Sequence, residues 1–363
     1  MAQDFLIIGG GIAGISAAAR LSHLGSVILL ETETAFGYHA SGRSAAMFEE
    51  GYGLPPVVAL NRASRDYHTH ANGGVLSPRG ILLVARADQR EAFDADVIDM
   101  GAAPITLAEA LGMVPILRPD RVALAAYEPD AMDLDTDLLM QNFAREARGN
   151  GAHLVTGARV TAIRRTTSGW EVDSTQGIHA GHLLINAAGA WADQIAAMAG
   201  IAPLGFTPLR RSIARIPAPG GHDLRNWPML LGPGEAWYAK PDAGKLLISP
   251  AEEYPVAPHD AWADDMVLAE GLARYEEMVT EPVTRLETSW AGLRTFAPDR
   301  ALVIGAARQD PGFFWLAGQG GYGFQTAPAA SKLVADLIGG RAPELDGATV
   351  AALSPQRFDG SGQ

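Results

Sequence analysis

The 363 residues exceed the roughly 100 to 150 of a single domain, so two lobes are expected and small disulfide-stapled scaffolds are excluded. Basic residues number 28 against 41 acidic ones, a net charge of −13 that argues against a nucleic-acid binder, since phosphate backbones repel an acidic surface. Cysteine is absent, which removes disulfides, thiolate metal ligands and a cysteine nucleophile, and no metal site is assigned.

Phe5 to Gly10 reads as a buried strand, Gly11 to about Ser22 as a helix, and Val27 to Glu31 as a second strand. Together they form one βαβ unit. The apolar run from Phe5 to Ala19 has no basic segment before it and is too short and glycine-rich to span a membrane. Cytoplasmic residence is the expectation, with peripheral contact with a membrane left open. Residues 51–130 are less regular and read as inserted structure, with a strand at Ile81 to Ala85 and a capping box at Thr106 to Glu109 opening a short helix. A helix over Thr136 to Arg148 and short strands at 153–156, 160–164, 170–173 and 182–186 return the chain to a layered core. Residues 203–282 alternate Gly/Pro turns with strand signals and one helix near Asp264 to Val279, as an antiparallel second lobe would. Strands at 301–305 and 313–317 and a helix over 325–338 close the first lobe, and the tail beyond about Ser354 is expected to fray. The segments group as 1–50, 131–202 and 290–363 in a cofactor lobe, and 51–130 and 203–289 in a substrate lobe.

Gly9, Gly11 and Gly14 form G-x-G-x-x-G at the first strand-to-helix junction, and Glu31 ends the next strand. The chemistry explains the spacing. Gly9 permits the tight turn, Gly11 clears room for a pyrophosphate at the helix N-terminus, and Gly14 lets the helix approach the sheet. Ile12 and Ala13 open the helix, while Glu31, followed by Thr32, can accept hydrogen bonds from a ribose diol. An adenine dinucleotide is indicated, without a choice between FAD and NAD.

That opening, together with Gly42-Arg43-Ser44-Ala45-Ala46, the run Asn186 to Trp191 and the glycine-rich Gly318 to Gly323, resembles the FAD-dependent amino-acid oxidase superfamily. The superfamily includes glycine and sarcosine oxidases and D-amino-acid dehydrogenases. Within it, residues 5 to about 357 are similar to bacterial D-arginine dehydrogenases, through GYHASGRSAA (37–46), KPDAG (240–244), WAGLR (290–294) and QGGYG (319–323). The resemblance implies a two-domain fold of α/β and α+β character: a Rossmann-like FAD-binding domain and a substrate domain with an antiparallel sheet. It further implies noncovalent FAD. Ser41, Gly42, Arg43, Ser44, Ala45 and Ala46 would pass near the isoalloxazine, Val160 near the adenine, and Ala188, Gly189 and Trp191 around the cofactor. Gly320, Gly321, Tyr322, Gly323, Phe324, Gln325 and Thr326 would approach the reactive end of the ring.

For substrate, Arg294 and Arg211 are the anion-clamp candidates, because a guanidinium fork fits an α-carboxylate, with Arg210 an adjacent competitor. Tyr238 and Tyr52 can add hydroxyl hydrogen bonds, and Gly321 would lie beside the substrate. In the arginine enzymes a side-chain-recognising glutamate falls at Ile81 and an active-site histidine at Met47. Neither replacement can pair with a guanidinium, so an apolar or modestly sized substrate side chain is expected.

The implied reaction is oxidative deamination of D-amino acids, with Cα hydride transfer to flavin N5, imine hydrolysis to a 2-oxo acid and ammonia, and a quinone, artificial acceptor or other carrier removing the electrons. No His or carboxylate stands out as proton acceptor. Three alternatives stay open: a glycine or N-methylamino-acid oxidase producing hydrogen peroxide, a 2-hydroxy-acid dehydrogenase, and a non-catalytic FAD-binding interaction protein.

Overall fold

The computed structural model describes residues 2–358. Its first sheet grows from β1 (Gln3–Ile8), which pairs in parallel with β2 (Val27–Leu30) on one side and with strand Gly177–Asn186 on the other. Strand His153–Val155 extends it beyond β2, and Phe313–Ala317 joins in parallel beside Gly177–Asn186. Strands Val160–Thr166 and Gly169–Ser174 lead into Gly177–Asn186 as an antiparallel meander. β1 reads as an unbroken apolar run because both its faces are covered. Phe5 and Ile7 pack with Ile15 and Ala18 of helix α1 (Ile12–Leu21), with Phe143 and with Val334, whereas Leu6 and Ile8 pack with Val172 and Trp315 beneath the meander.

The second sheet has nine strands and is mostly antiparallel. Its longest pairing joins Thr207–Ile216 to Thr288–Phe296, and it continues through Lys245–Ser249, Tyr238–Asp242, Met229–Leu231 and Ile81–Ala85 to Leu124–Glu128 and Ala103–Ile105. Residues 290–296, grouped by sequence with the cofactor lobe, therefore lie in the antiparallel sheet. Conversely, helix Pro55–His70, grouped with the substrate lobe, buries Val57 and Leu60 in the core that holds α1 and helix Gly323–Ile338.

The capping box at Thr106 is present, the Glu109 carboxylate accepting from the Thr106 N–H at 2.7 Å. The region after Gly51 is more helical than its sequence suggested, with helices Pro55–His70 and Arg90–Met100. The expected fraying after Ser354 does not begin there. Residues 355–358 form a helical turn in which Pro355 is buried and Arg357 donates to Asp299 at 2.6 Å, while 359–363 lie outside the described residues. Among the described residues no helix is long and apolar enough to cross a membrane.

Candidate active site

A cavity of about 510 Å³ opens where four parallel strands of the first sheet end. Ile8 to Ala13 follow β1, Leu30 to Glu33 follow β2, Ala187 to Trp191 follow Gly177–Asn186, and Gln319 to Gly321 follow Phe313–Ala317. Carboxyl ends of parallel strands are the usual ligand crevice of such sheets. The far wall comes from the second sheet through Arg211, Ile213, Tyr238 and the run Gly292 to Thr295.

At one end the walls are main chain. Gly9 has φ +109°, and a Cβ there would collide with the Ala187 carbonyl, so β1 can turn beside its neighbouring strand only with glycine. A Cβ on Gly14 would overlap the Gly9 carbonyl, and one on Gly42 the Gly37 carbonyl. Gly14 and Gly42 are thus packing glycines behind the cavity lining. Glu31 is buried, and its carboxylate accepts from the N–H of Gly10 at 2.6 Å and of Glu33 at 2.8 Å. It fixes the glycine turn and retains lone pairs for a ribose diol. Ser41 Oγ accepts from the Ile12 N–H at 3.0 Å, while Ala13 lines the cavity at the start of α1, where first-turn N–H groups lack intrahelical acceptors. Thr32, Ser44, Ala45, Ala46, Val160, Ala188, Gly189 and Trp191 also line this part.

Arg43 borders the cavity, but its guanidinium is committed to protein. It donates to the carbonyls of Tyr38, Ala261 and Ala291 and to the Asp260 carboxylate, joining this loop to the second sheet. A positive charge so engaged acts as a structural clamp, and the main chain is held too, the Arg43 carbonyl accepting from Trp290 Nε1 at 3.2 Å.

The other end is made of side chains. In the antiparallel pair, Leu209 lies opposite Arg294 and Arg211 opposite Gly292, so alternation puts Arg211 and Arg294 on the cavity face. Arg210 falls on the reverse face, 3.8 Å from Glu252 and 3.4 Å from Asp264, so of the two neighbours Arg211 is the one that lines the cavity. Gly321 packs against the Arg294 guanidinium, since a Cβ there would lie 3.0 Å from Nη1. Arg294 has no hydrogen bond or ion pair among the described residues. Burial opposes its charge, but Tyr52, Tyr238, Glu235 and Glu253 outweigh that and raise its pKa. Arg211 donates to Glu253 at 3.2 Å, yet its Nε and Nη1 are buried without partners, and burial and the Arg294 charge lower its pKa.

Tyr238 lines the cavity and Met47 lies beside it, whereas Ile81 is 4% exposed and packed in the core with Tyr238, Leu83 and Leu231. Ile81 shapes the wall from behind. Tyr52 also stands behind the lining. Its hydroxyl donates to Glu235 at 2.9 Å, its ring packs on Tyr322, and burial raises its pKa while Arg294 works the other way. Tyr322 and Thr326 are buried just behind Gly320 to Gln325, Thr326 Oγ1 donating to the Tyr322 carbonyl at 2.8 Å; neither faces the cavity.

Sequence reasoning missed several contributors. Glu235, 3.8 Å from Arg211, sits on a turn where Gly234 and Glu235 both have positive φ, and the Gly-Pro-Gly-Glu run was its only signal. Glu49 is lifted to about 7 by burial and by Glu128 and Glu235. His39, Gln194, Thr295 and Gln319 line the cavity and carry no local motif. Buried polar atoms without partners cluster here: Thr295 Oγ1, Gln319 Nε2, Gln325 Nε2 and two Arg211 nitrogens. Orphaned buried donors cost stability unless a ligand satisfies them. With the glycine cradle and Glu31, they fit a dinucleotide running from Glu31 toward Arg294.

The strand ends, glycine turn and terminal glutamate thus define a dinucleotide-dependent redox protein. The chain belongs to the family of FAD-dependent oxidoreductases called DAO, whose model matches residues 4–337, and its cofactor is FAD. It is 26% identical to the glycine oxidase of Geobacillus kaustophilus, over 92% of each chain. The crystal structure of glycine oxidase from that organism superimposes with a TM-score of 0.82, covering 98% of this chain and 99% of that one. N-methyl-L-tryptophan oxidase of Citrobacter koseri is 22% identical over 95% of this chain and 97% of its own. The L-proline dehydrogenase of P. horikoshii shares the fold with a TM-score of 0.81 at 22% identity, over 99% and 98% of the two chains.

Proposed function

We propose that this protein is an FAD-dependent dehydrogenase that oxidises D-amino acids to 2-oxo acids and ammonia and favours apolar or neutral side chains over D-arginine. The reading rests chiefly on Arg294, a half-buried guanidinium that lines the cavity without an anionic partner among the described residues, beside Arg211 and Gly321. The nearby charges are Arg211, Arg294 and Arg300 against Glu235 and Glu253, with Glu253 bridging Arg211 and Arg300. Arg294 itself has no carboxylate partner among the described residues, which suits a single substrate carboxylate. Glu235 would attract an ammonium group at the same end, which favours an amino acid over a 2-hydroxy acid. Met47 and Tyr238 offer a side chain apolar surface.

When bound, the flavin supplies an acceptor for a hydride equivalent. The chain's own work is to hold the carboxylate on Arg294 and Arg211, to exclude water with Tyr238 and Met47, and to orient Cα–H. The substrate ammonium must first lose a proton to water or to the Tyr52–Glu235 pair. Loss of hydride from the neutral amine then leaves an iminium, which water converts to the 2-oxo acid and ammonium. A glycine or N-methylamino-acid oxidase is the second reading, favoured by the glycine oxidase and N-methyl-L-tryptophan oxidase likenesses. The folds of L-proline dehydrogenase and L-amino acid deaminase make the enantiomer a matter for the same assay.

Stopped-flow bleaching of oxidised flavin, with D- and L-forms of leucine, methionine, phenylalanine and arginine and with glycine and sarcosine, tests the proposal. Rapid bleaching by D-leucine or D-methionine is expected, with little peroxide in the absence of an added acceptor. A preference for D-arginine, or for any L-form, overturns the specificity, and stoichiometric peroxide favours the oxidase.

A further inference from the structure

Helix Gly323–Ile338 begins at the cavity, and Gly323, Phe324 and Gln325 line it. Its sixth residue is Pro328, which has no N–H to donate and crowds the Phe324 carbonyl one turn back. The weakened turn is buttressed from helix Pro55–His70. His68 Nε2 donates to the Gln325 carbonyl at 2.9 Å, and Ser64 Oγ accepts from the Ala329 N–H at 3.1 Å, so both groups that a regular helix would pair with each other have partners across the interface. His68 and Ser64 are fully buried. The imidazole nevertheless leaves Nδ1 without a partner, an arrangement that stability alone does not select.

Gln325 is held by its side chain as well. Its Oε1 accepts from the Glu49 N–H at 3.2 Å, while Nε2 is buried with no acceptor in the protein. Its carbonyl and its Oε1 are thus both fixed from outside the helix. The side-chain amide Nε2 keeps its donor capacity, on a residue that is 3% exposed and lines the cofactor cavity.

We propose that His68 is a positioning residue: by holding the Gln325 carbonyl it fixes the first turn of this helix so that the Gln325 amide donates from Nε2 to the bound flavin. A preset donor beside a ring that gains negative charge on reduction favours the reduced form. The inference depends on the cofactor and not on the substrate.

The test is a reductive titration of the purified holoproteins with dithionite, recording flavin content, absorbance and midpoint potential for wild type, His68→Gln, His68→Asn and Gln325→Leu. A glutamine amide can reach the Gln325 carbonyl and an asparagine amide falls short by one methylene. Wild-type potential is expected in His68→Gln, and a more negative potential with an altered visible band in both His68→Asn and Gln325→Leu. Substrate-driven bleaching should slow about three- to tenfold in those two, the worth of one hydrogen bond. The double variant His68→Asn with Gln325→Leu should be no worse than Gln325→Leu alone. Unchanged potentials with only a lowered Tm, multiplying effects in the double variant, or His68→Gln behaving like His68→Asn would each overturn the proposal. If His68→Asn fails to fold, an unshifted potential in Gln325→Leu overturns it alone. Wild-type protein without flavin would instead strike at the cofactor.

Discussion

The two ends of the cavity are built from different materials. The dinucleotide end uses main chain from a few contiguous turns, with Gly9, Gly11 and Ser41 at its wall and Glu31 holding the turn closed. At the substrate end, Arg211, Tyr238 and Arg294 come from three strands, with Tyr52, Glu235 and Gly321 from three separate turns. A backbone cradle tolerates side-chain change but not an added Cβ. A side-chain pocket tolerates shape change but not loss of charge balance. The first end should therefore fail through sterics and the second through electrostatics.

Gly14→Val gives the largest expected effect. Its side chain would overlap the Gly9 carbonyl, so flavin should be absent from the purified protein, read from the ratio of visible to 280 nm absorbance. A variant that keeps its flavin would break the comparison at its steric end. Arg294→Leu should retain flavin but lower kcat/KM by about 10²- to 10³-fold, because the charge-assisted pair proposed with the substrate is lost. Arg210→Leu, on the reverse face, serves as its control and should stay within about twofold. Equal losses in both would show that proximity to the sheet matters, and not the face.

Tyr52→Phe removes the hydroxyl that donates to Glu235, and about a tenfold fall in kcat/KM is expected from that one bond. The smallest effect is on stability against pH. Glu49 titrates near 7 in the folded chain against 4.5 ordinarily, so the folded state binds the extra proton and stability declines as pH rises from about 4.5 to 7. Relative to wild type, Glu49→Gln should gain stability across that window in urea denaturation. His68 acts in the opposite sense: burial lowers it to about 4 from 6.5, so its neutral form loses stability as pH falls from 6.5 to 4. The two slopes oppose each other in wild type, and single variants should expose each in turn.

The same contrast explains what could be read in the sequence. The glycine cradle was legible because turn, helix start and strand end lie within about thirty residues and each leaves a local mark. Strands such as Ile81–Ala85 and Phe313–Ala317 were legible as apolar runs. Helix Pro55–His70 was not, because its buried stripe is Val57, Leu60, Asn61, Ser64 and His68. Three of those five are polar and are bonded outside their own helix: Asn61 donates to the Tyr52 carbonyl at 3.0 Å, and Ser64 and His68 reach the neighbouring helix. A pattern of apolar and polar residues cannot reveal a buried face whose polar members are bonded outside the helix. Resemblance pointed to Arg294, Arg211 and Tyr52, and strand alternation puts Arg211 and Arg210 on opposite faces. Glu235 and Glu49 matter through charges that meet in space alone.

The nine-rung pairing of Thr207–Ile216 with Thr288–Phe296 does more than complete a sheet. Displacing the second strand by one rung would turn Arg294 to the wrong side while leaving hydrogen bonds, helix content and even the glycine cradle intact. Such a chain would pass spectroscopic inspection, bind flavin and be inert. Specific activity per bound flavin is therefore a proofreading signal for this protein, able to tell a correctly threaded molecule from a well-folded impostor.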